Sequence, residues 1–354
     1  MEISVISQKE WIGLFQSIYR GDSRFKDNKS GIFHLVCDKK QAFYGLSTQE
    51  IVGVKEKGKL LCACVLIIHH NAPQMLNLAF FEAMPDCRAA VNMLLAYAAG
   101  FGRDKGCRIL VAAMDGHLNN TIAFPADSGI PTFGESYCPQ YYHEYLAGFK
   151  KVEFTSLWDE AAQVRARIAQ DLPRLDKVKA GIRLTYADFG CGFGKTMARY
   201  TALNNEIFAD HRYYYPRTDA EDKALFWAMR PLLKKENLIF AECGGKDVGY
   251  ILWYPDFNEL VPVGAGASIG TCLRYRLLGK SLQTIKVVEI GVVAKYRRYG
   301  TILRLFDKAM AAASGNARKI VSGWILSDNN KSKGIASRYI SNQYRNYYTY
   351  EEEL

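Results

Sequence analysis

The sequence predicts an α/β protein built from two copies of one unit, and three observations carry this. Its 354 residues suit two domains of about 100–200 residues, or one large one. Apolar residues make up 49% and charged residues 23%, the balance of a packed globular chain. One order of elements occurs in both halves: a strand or helix, a hairpin, a strand, a helix, a strand, a helix and a final strand.

In the first half, KEWIGLFQSIYRGD is apolar at Trp11, Leu14, Phe15, Ile18 and Tyr19, the spacing of an amphipathic helix. After a polar stretch, IVGVKEKGKLLCACVLIIHH and MLNLAFFEAM read as strands, with a hairpin turn between Val54 and Leu60. RAAVNMLLAYAAGFGRDKG is a helix stopped by Gly106, and RILVAAM is a buried strand. Residues 116–140 form a long loop, YYHEYLAGF a short helix and KKVEFTSLW a strand. Residues 1–156 are thus a first domain. Residues 157–179, containing Pro173, read as a connecting helix that the proline ends or kinks.

The second domain spans 180–354. GIRLTYAD is a strand, and KTMARYTALNNEIFA and AEDKALFWAMRPLL are helices. LIFAECGGKDVGYILWYPD is a hairpin turning at Gly244-Gly245. TIKVVEIGVV is a strand, YGTILRLFDKAMAAASG a helix and KIVSGWIL a strand. NKSKGIASRYISN is helical and YRNYYTYEE the last strand.

The net charge of +10 is uneven: residues 1–155 carry 16 Lys/Arg against 15 Asp/Glu, and the remainder holds 30 against 21. An anionic partner is therefore expected in the C-terminal half. The longest apolar runs, such as residues 60–68, are far below the roughly 20 residues that cross a bilayer. The first residues do not read as a secretory signal. Nine scattered cysteines without a CxxC pair predict reduced thiols and a cytoplasmic protein. The six histidines are also scattered, and no metal and no membrane partner are expected.

Chemistry concentrates in VVEIGVVAKYRRYGTILRLFDKAM, residues 287–310. A strand ends, a turn carries Arg297, Arg298 and Gly300, and a helix begins at once. Unpaired amides and the helix dipole favour an anion there, a pyrophosphate for example. Ordinary basic residues in solvent would give the same local pattern.

At these residues the sequence resembles the GNAT acyltransferase superfamily, whose signature is a strand ending in Val, then R/Q-x-x-G-x-G/A and a helix. Val292, Arg297 and Gly300 match, while Ile302 stands where the last small residue would be. Asp328-Asn329-Asn330 resembles the acidic-x-Asn element that opens the last helix of such folds. Over nearly the whole chain the sequence is similar to bacterial two-domain GNAT-like proteins. It carries Phe80-Phe81-Glu82, then Tyr137-Cys138-Pro139-Gln140-Tyr141-Tyr142 with Cys138 in place of Asn, then Gly148-Phe149-Lys150, and finally Tyr347, Tyr348 and Tyr350.

The resemblance implies two tandem GNAT-like domains, each a mixed, mostly antiparallel sheet flanked by helices. It implies transfer of an acyl group from acetyl-CoA or another acyl-CoA to a small-molecule amine or amino acid. An acyl carrier protein or aminoacyl-tRNA as donor, or binding without catalysis, are the alternatives. Donor contacts are expected from Val292, Val293, Arg297, Arg298, Tyr299, Gly300, Thr301 and Asn330. The first domain lacks the signature after Phe80-Phe81-Glu82 and is expected to be degenerate. Direct transfer needs a base and an oxyanion contact. Glu289 is the candidate base, with an ion pair to a nearby cation as its other reading. Tyr339 and Tyr348, with Tyr350 behind them, are candidate acids for the leaving thiolate, against simple packing.

One further stretch, DFGCGFGKT (188–196), invites two nucleotide readings. The P-loop spacing needs Gly where Phe189 stands. The S-adenosylmethionine reading needs an apolar strand ending in an acid, and the chain runs EIFADHRYYYPRTDAED instead. A glycine-rich strand-to-helix turn is the expectation.

Overall fold

The computed structural model describes residues 1–175, 181–313 and 316–354. The strands, in chain order, are β1 (Glu2–Val5), β2 (Ser47–Glu56), β3 (Lys59–His69), β4 (Met75–Ala83), β5 (Ile109–Ala112), β6 (Phe124–Pro125), β7 (Lys150–Glu160), β8 (Ile182–Tyr186), β9 (Leu238–Cys243), β10 (Lys246–Pro255), β11 (Thr284–Val292), β12 (Lys319–Ser322), β13 (Ile325–Leu326) and β14 (Asn342–Glu353). The helices are α1 (Gln8–Ile18), α2 (Ser30–Cys37), α3 (Ala42–Gly45), α4 (Arg88–Asp104), α5 (Tyr141–Tyr145), α6 (Ala161–Asp171), α7 (Phe193–Ile207), α8 (Asp219–Met229), α9 (Ile269–Leu278), α10 (Thr301–Ala312) and α11 (Asn330–Tyr339).

The chain divides into two compact units. Unit 1 is Met1–Phe154, Val261–Ala267 and Asn346–Leu354; unit 2 is Thr155–Leu260 and Ser268–Arg345. This interleaving differs from the boundaries expected above. Residues 157–160 finish β7, and α6 buries Ala161, Val164 and Ile168 in the unit 2 core. The described part of the expected linker is therefore core, and 176–179 lie outside the described residues. Residues 346–354, expected in the second domain, complete the first.

In unit 1, β1 to β5 follow one another across the sheet and the end of β14 lies beside β5. All neighbours are antiparallel except β4 and β5. The apolar run 60–68 lies on β3 and is buried on both faces. Cys62, Cys64, Leu66 and Ile68 pack with α4, while Ala63, Val65 and Ile67 pack with α1 and α2. Two covered faces explain why this strand lacks polar alternation. The capping box of Ser7 and Glu10 starts α1 and places Trp11, Leu14 and Phe15 inward. The hairpin between β2 and β3 turns through Lys57 and Gly58, both at positive φ.

Unit 2 repeats the plan in the order β7-β12-β11-β10-β9-β8, with β11 and β12 the parallel pair. Helices α6 and α10 cover one face, and α7 packs against β10 and β11 on the other through Tyr200 and Asn204. The parallel pairing stops at Val287 and Ser322. Beyond it β11 runs on through Val292, and among the described residues no strand pairs with its β12-side edge there. At the point of divergence Gly323 lies against the Val288 carbonyl, where a side chain would collide.

Candidate active site

Glu289 owes its position to one extra residue in β11. Trp253 pairs with Val287, yet its neighbour Leu252 pairs with Glu289, so Val288 is a β-bulge. Strict alternation would put Glu289 beside Ile285 and Val287, on the apolar face packed by α10. The bulge turns it to the opposite face instead. There its Oε2 accepts hydrogen bonds from Tyr250 Oη at 2.7 Å, Tyr200 Oη at 2.9 Å and Asn204 Nδ2 at 3.1 Å. The three donors are buried, while Glu289 itself is half-buried. Its Oε1 has no partner among the described residues.

Neutral groups therefore hold this carboxylate, and among the described residues no cation forms an ion pair with it. Burial pushes its pKa above the ordinary carboxylate value, and the two tyrosine hydrogen bonds only partly oppose this. Burial, with the Glu289 charge beside them, drives Tyr200 and Tyr250 well above the phenol range. Behind them, Thr201 Oγ1 donates to Asp222 at 2.7 Å, and Asp222 faces Arg217 at 2.9 Å in a buried ion pair. Thr196, Tyr200 and Asn204 are all buried and spaced four residues apart, a polar stripe on one face of α7. That spacing was the available sequence signal for the cage, and reading β11 as a regular strand overlooks it.

The expected oxyanion contacts separate. The Val293 amide donates to the Val248 carbonyl at 2.9 Å and is occupied. In an antiparallel ladder the adjacent residue then points its polar groups the other way. The Val292 amide thus faces the open edge, where β12 has departed.

The turn after β11 also differs from expectation. Arg297 Nε donates to the Val292 carbonyl at 3.0 Å and braces the strand end. Gly300 takes φ +67, a conformation that favours glycine, and a side chain there would collide with Leu175. Leu175, rather than a phosphate, fills the space that Gly300 leaves. The Thr301 hydroxyl is buried and donates to the Tyr296 carbonyl at 3.1 Å. Arg298 and Tyr299 stand exposed at the start of α10. The amides of Thr301, Ile302 and Leu303 form its first turn, which has no carbonyls preceding it within the helix. These amides and Arg298 suit an anion; Gly300 adds no cradle. Asn330 opens α11, and its side chain lies outside the described residues.

Of the candidate acids, Tyr339 lies in unit 2 and Tyr348 and Tyr350 in unit 1. Tyr339 Oη donates to Asp171 at 3.0 Å and its ring packs on Phe306, in the core under α10. Tyr348 belongs to unit 1, where it packs edge-on to His143 and under Lys151. Tyr350, in the same unit, lies 2.5 Å from His143 Nδ1. In DFGCGFGKT the Asp188 carboxylate accepts from the Gly190 and Gly192 amides at 2.7 and 2.8 Å. A side chain at Gly192 would run into Asp188. An acid thus occupies the middle of this turn, as its strand-to-helix reading implies.

Unit 1 contains the counterpart of Glu289. Val65 pairs with Ala79 and Ala63 with Glu82, so β4 also bulges. Phe80 takes φ +50 there, a strain of about 1–2 kcal/mol for a residue with a Cβ. Asp115 and Trp11 grip its backbone at 2.7 and 2.8 Å. Glu82 turns towards α1 and α2 and is fully buried. Its Oε1 meets Lys29 Nζ at 2.6 Å and its Oε2 accepts from Tyr142 at 2.8 Å. Burial opposes the Lys29 charge, yet Glu82 and Asp115 hold its pKa above the ordinary value.

No family model matches the chain. A curated relative, the bacterial ceramide synthase of Caulobacter vibrioides, is 23% identical over 197 residues, 53% of this chain and 49% of that protein. The match thus spans about half the length of that relative. Among solved structures, a tandem GNAT protein from the clavulanic acid biosynthesis pathway aligns over 99% of this chain and 98% of its own, at 12% identity and TM-score 0.56. A GCN5-related N-acetyltransferase from Kribbella flavida aligns over 99% of this chain and 71% of its own, at 12% identity and TM-score 0.52. Two units of one topology, each with a splayed parallel strand pair, give the chain the tandem GNAT fold.

Proposed function

We propose that unit 2 is the catalytic unit of an acyltransferase that passes an acyl group from an acyl-CoA to an amine by direct attack. The observation that carries this reading is Glu289: a bulge places its carboxylate in a cage of neutral donors, which hold one oxygen and leave the other without a partner among the described residues. Its raised pKa brings it nearer to the range in which a base works at neutral pH. Glu289 accepts the proton of the attacking amine, directly or through one water, as the C–N bond forms; the C–S bond then breaks and the thiolate of CoA leaves, taking up a proton from solvent. The Val292 amide donates to the thioester carbonyl oxygen as negative charge develops there. The first-turn amides of α10 and the Arg298 guanidinium hold the donor's phosphates. The donor, when bound, supplies the activated thioester.

The acceptor classes are small amines or amino acids and, because the curated relative is named for making ceramide, lipid amines. A second donor, an acyl carrier protein or an aminoacyl-tRNA, is favoured by Leu175 over Gly300, which leaves a reduced pyrophosphate cradle. The nine cysteines are all free thiols, which supports a reducing cytoplasmic setting.

Calorimetry with CoA, acetyl-CoA and tRNA, followed by acyl transfer to a panel of amines, separates these donors and acceptors. In the same assays Glu289→Gln keeps donor affinity and loses turnover. Undiminished turnover in that variant rejects Glu289 as the base, and absence of any donor binding rejects the enzyme reading.

A further inference from the structure

Helix α9 has its apolar face on the outside. Ile269, Leu273 and Leu277 follow one another four residues apart and are 81%, 55% and 84% exposed, with Leu278 beside them at 53%. Four-residue spacing makes one stripe along the helix. The inward face is held by other residues: Thr271 is fully buried, and the Tyr275 ring stands edge-on to Phe257 at 5.1 Å. The leucines are therefore not what attaches α9 to unit 2. A core-facing helix has the opposite arrangement.

Charge indicates what would cover the stripe. Arg274 and Arg276 are exposed, and α9 contains no acidic residue. By helical geometry Arg276 flanks the stripe on one side and Arg274, which also donates to the Leu260 carbonyl at 3.1 Å, flanks it on the other. We propose that this face of α9 docks on an anionic lipid surface, its apolar side chains entering the headgroup boundary and its arginines meeting lipid phosphates. Among the described residues no helix is long and apolar enough to cross a membrane, so α9 would lie on the surface. A second copy of the chain fits less well. Ten residues span only about 15 Å on a helix about 10 Å wide, a face of far less than the roughly 800 Å² per partner of a stable interface. This proposal goes beyond acyl transfer and does not depend on it, because vesicle binding is read without turnover.

The test is co-sedimentation of the full chain with vesicles of phosphatidylglycerol and phosphatidylethanolamine, against vesicles of phosphatidylcholine alone. Binding is expected to be at least about tenfold tighter to the anionic vesicles and to weaken with added salt. Leu273→Glu with Leu277→Glu should reduce it by about tenfold, with an unchanged circular dichroism spectrum. Arg276→Glu alone should weaken it as well, which provides a second variant if the double one misfolds. Absent or equal binding to the two vesicle types overturns the proposal. So does unchanged binding by both variants. Light scattering that shows a dimer lost in the double variant, without vesicle binding, would assign the face to a second copy instead.

Discussion

The two units build the same feature and finish it differently. Each bulges the strand that precedes its splayed edge, and each thereby turns a glutamate off the helix-packed apolar face. In unit 1, Glu82 is sealed: Lys29 takes one oxygen, Tyr142 the other, and no surface remains. In unit 2, Glu289 is held by neutral donors on one oxygen only and stays half-buried. A carboxylate neutralised by a buried ammonium is poorly suited to accept a proton from a substrate. Burial raises the pKa of both glutamates, and what separates them is that Glu289 has no buried cation beside it among the described residues and stays partly open. The same backbone device thus serves architecture in one half and, on our reading, chemistry in the other.

Substitutions can break this contrast, and the largest effect is expected at the base. Glu289→Gln should lower kcat by about 10²–10⁴-fold, with donor affinity retained in calorimetry. Next in size, Lys29→Met should cost about 3–5 kcal/mol in denaturant melts, because Glu82 is left buried without its cation. Glu289→Gln should show no comparable loss, and the two melts together decide whether the glutamates differ as argued.

The pH dependence sharpens the point. The folded-state pKa of Glu289 is raised, so between the unfolded value near 4.3 and that raised value the folded chain binds the proton more tightly. Through this group, stability falls as pH rises across that window. Glu289→Gln should therefore gain on the wild type in melts as pH rises, and the acid limb of kcat/KM should lie above the usual carboxylate range. A smaller effect is expected for Arg297→Ala with Arg298→Ala, about tenfold in CoA affinity or about 1.4 kcal/mol, read by calorimetry. Smallest of all, Tyr339→Phe should lose about 1 kcal/mol of stability with its Asp171 hydrogen bond and leave kcat unchanged. A large fall in kcat there would restore Tyr339 as a candidate acid.

Regular elements were legible in the sequence where the hydrophobic period was clean, as at Trp11 to Tyr19 and at the Gly244-Gly245 turn. Glu289 was legible as a polar residue inside an apolar strand. Its surroundings were not, because Val287-Val288-Glu289 reads as part of a regular strand and a bulge leaves no mark in residue type. Tyr200, Asn204 and Tyr250 become neighbours only when α7 folds across β10 and β11. Helix α9 escaped notice because its apolar residues face outward. Arg297 and Gly300 were found at the expected spacing, yet Leu175, distant in sequence, determines what Gly300 is for.

The return of residues 346–354 to unit 1 has a consequence for biosynthesis. β5 pairs with Tyr350–Glu353, and the Leu354 side chain lies against Gly102, where a methyl group would collide. The ribosome adds this strand long after it has made the rest of unit 1. Until then the nascent first half presents β5 as an open edge, the kind of surface that attracts foreign strands. Folding of this protein is therefore not a simple N-to-C succession of finished domains. The first half is completed only after the second has been translated, and a nascent chain stalled before residue 346 is the species most in need of a chaperone.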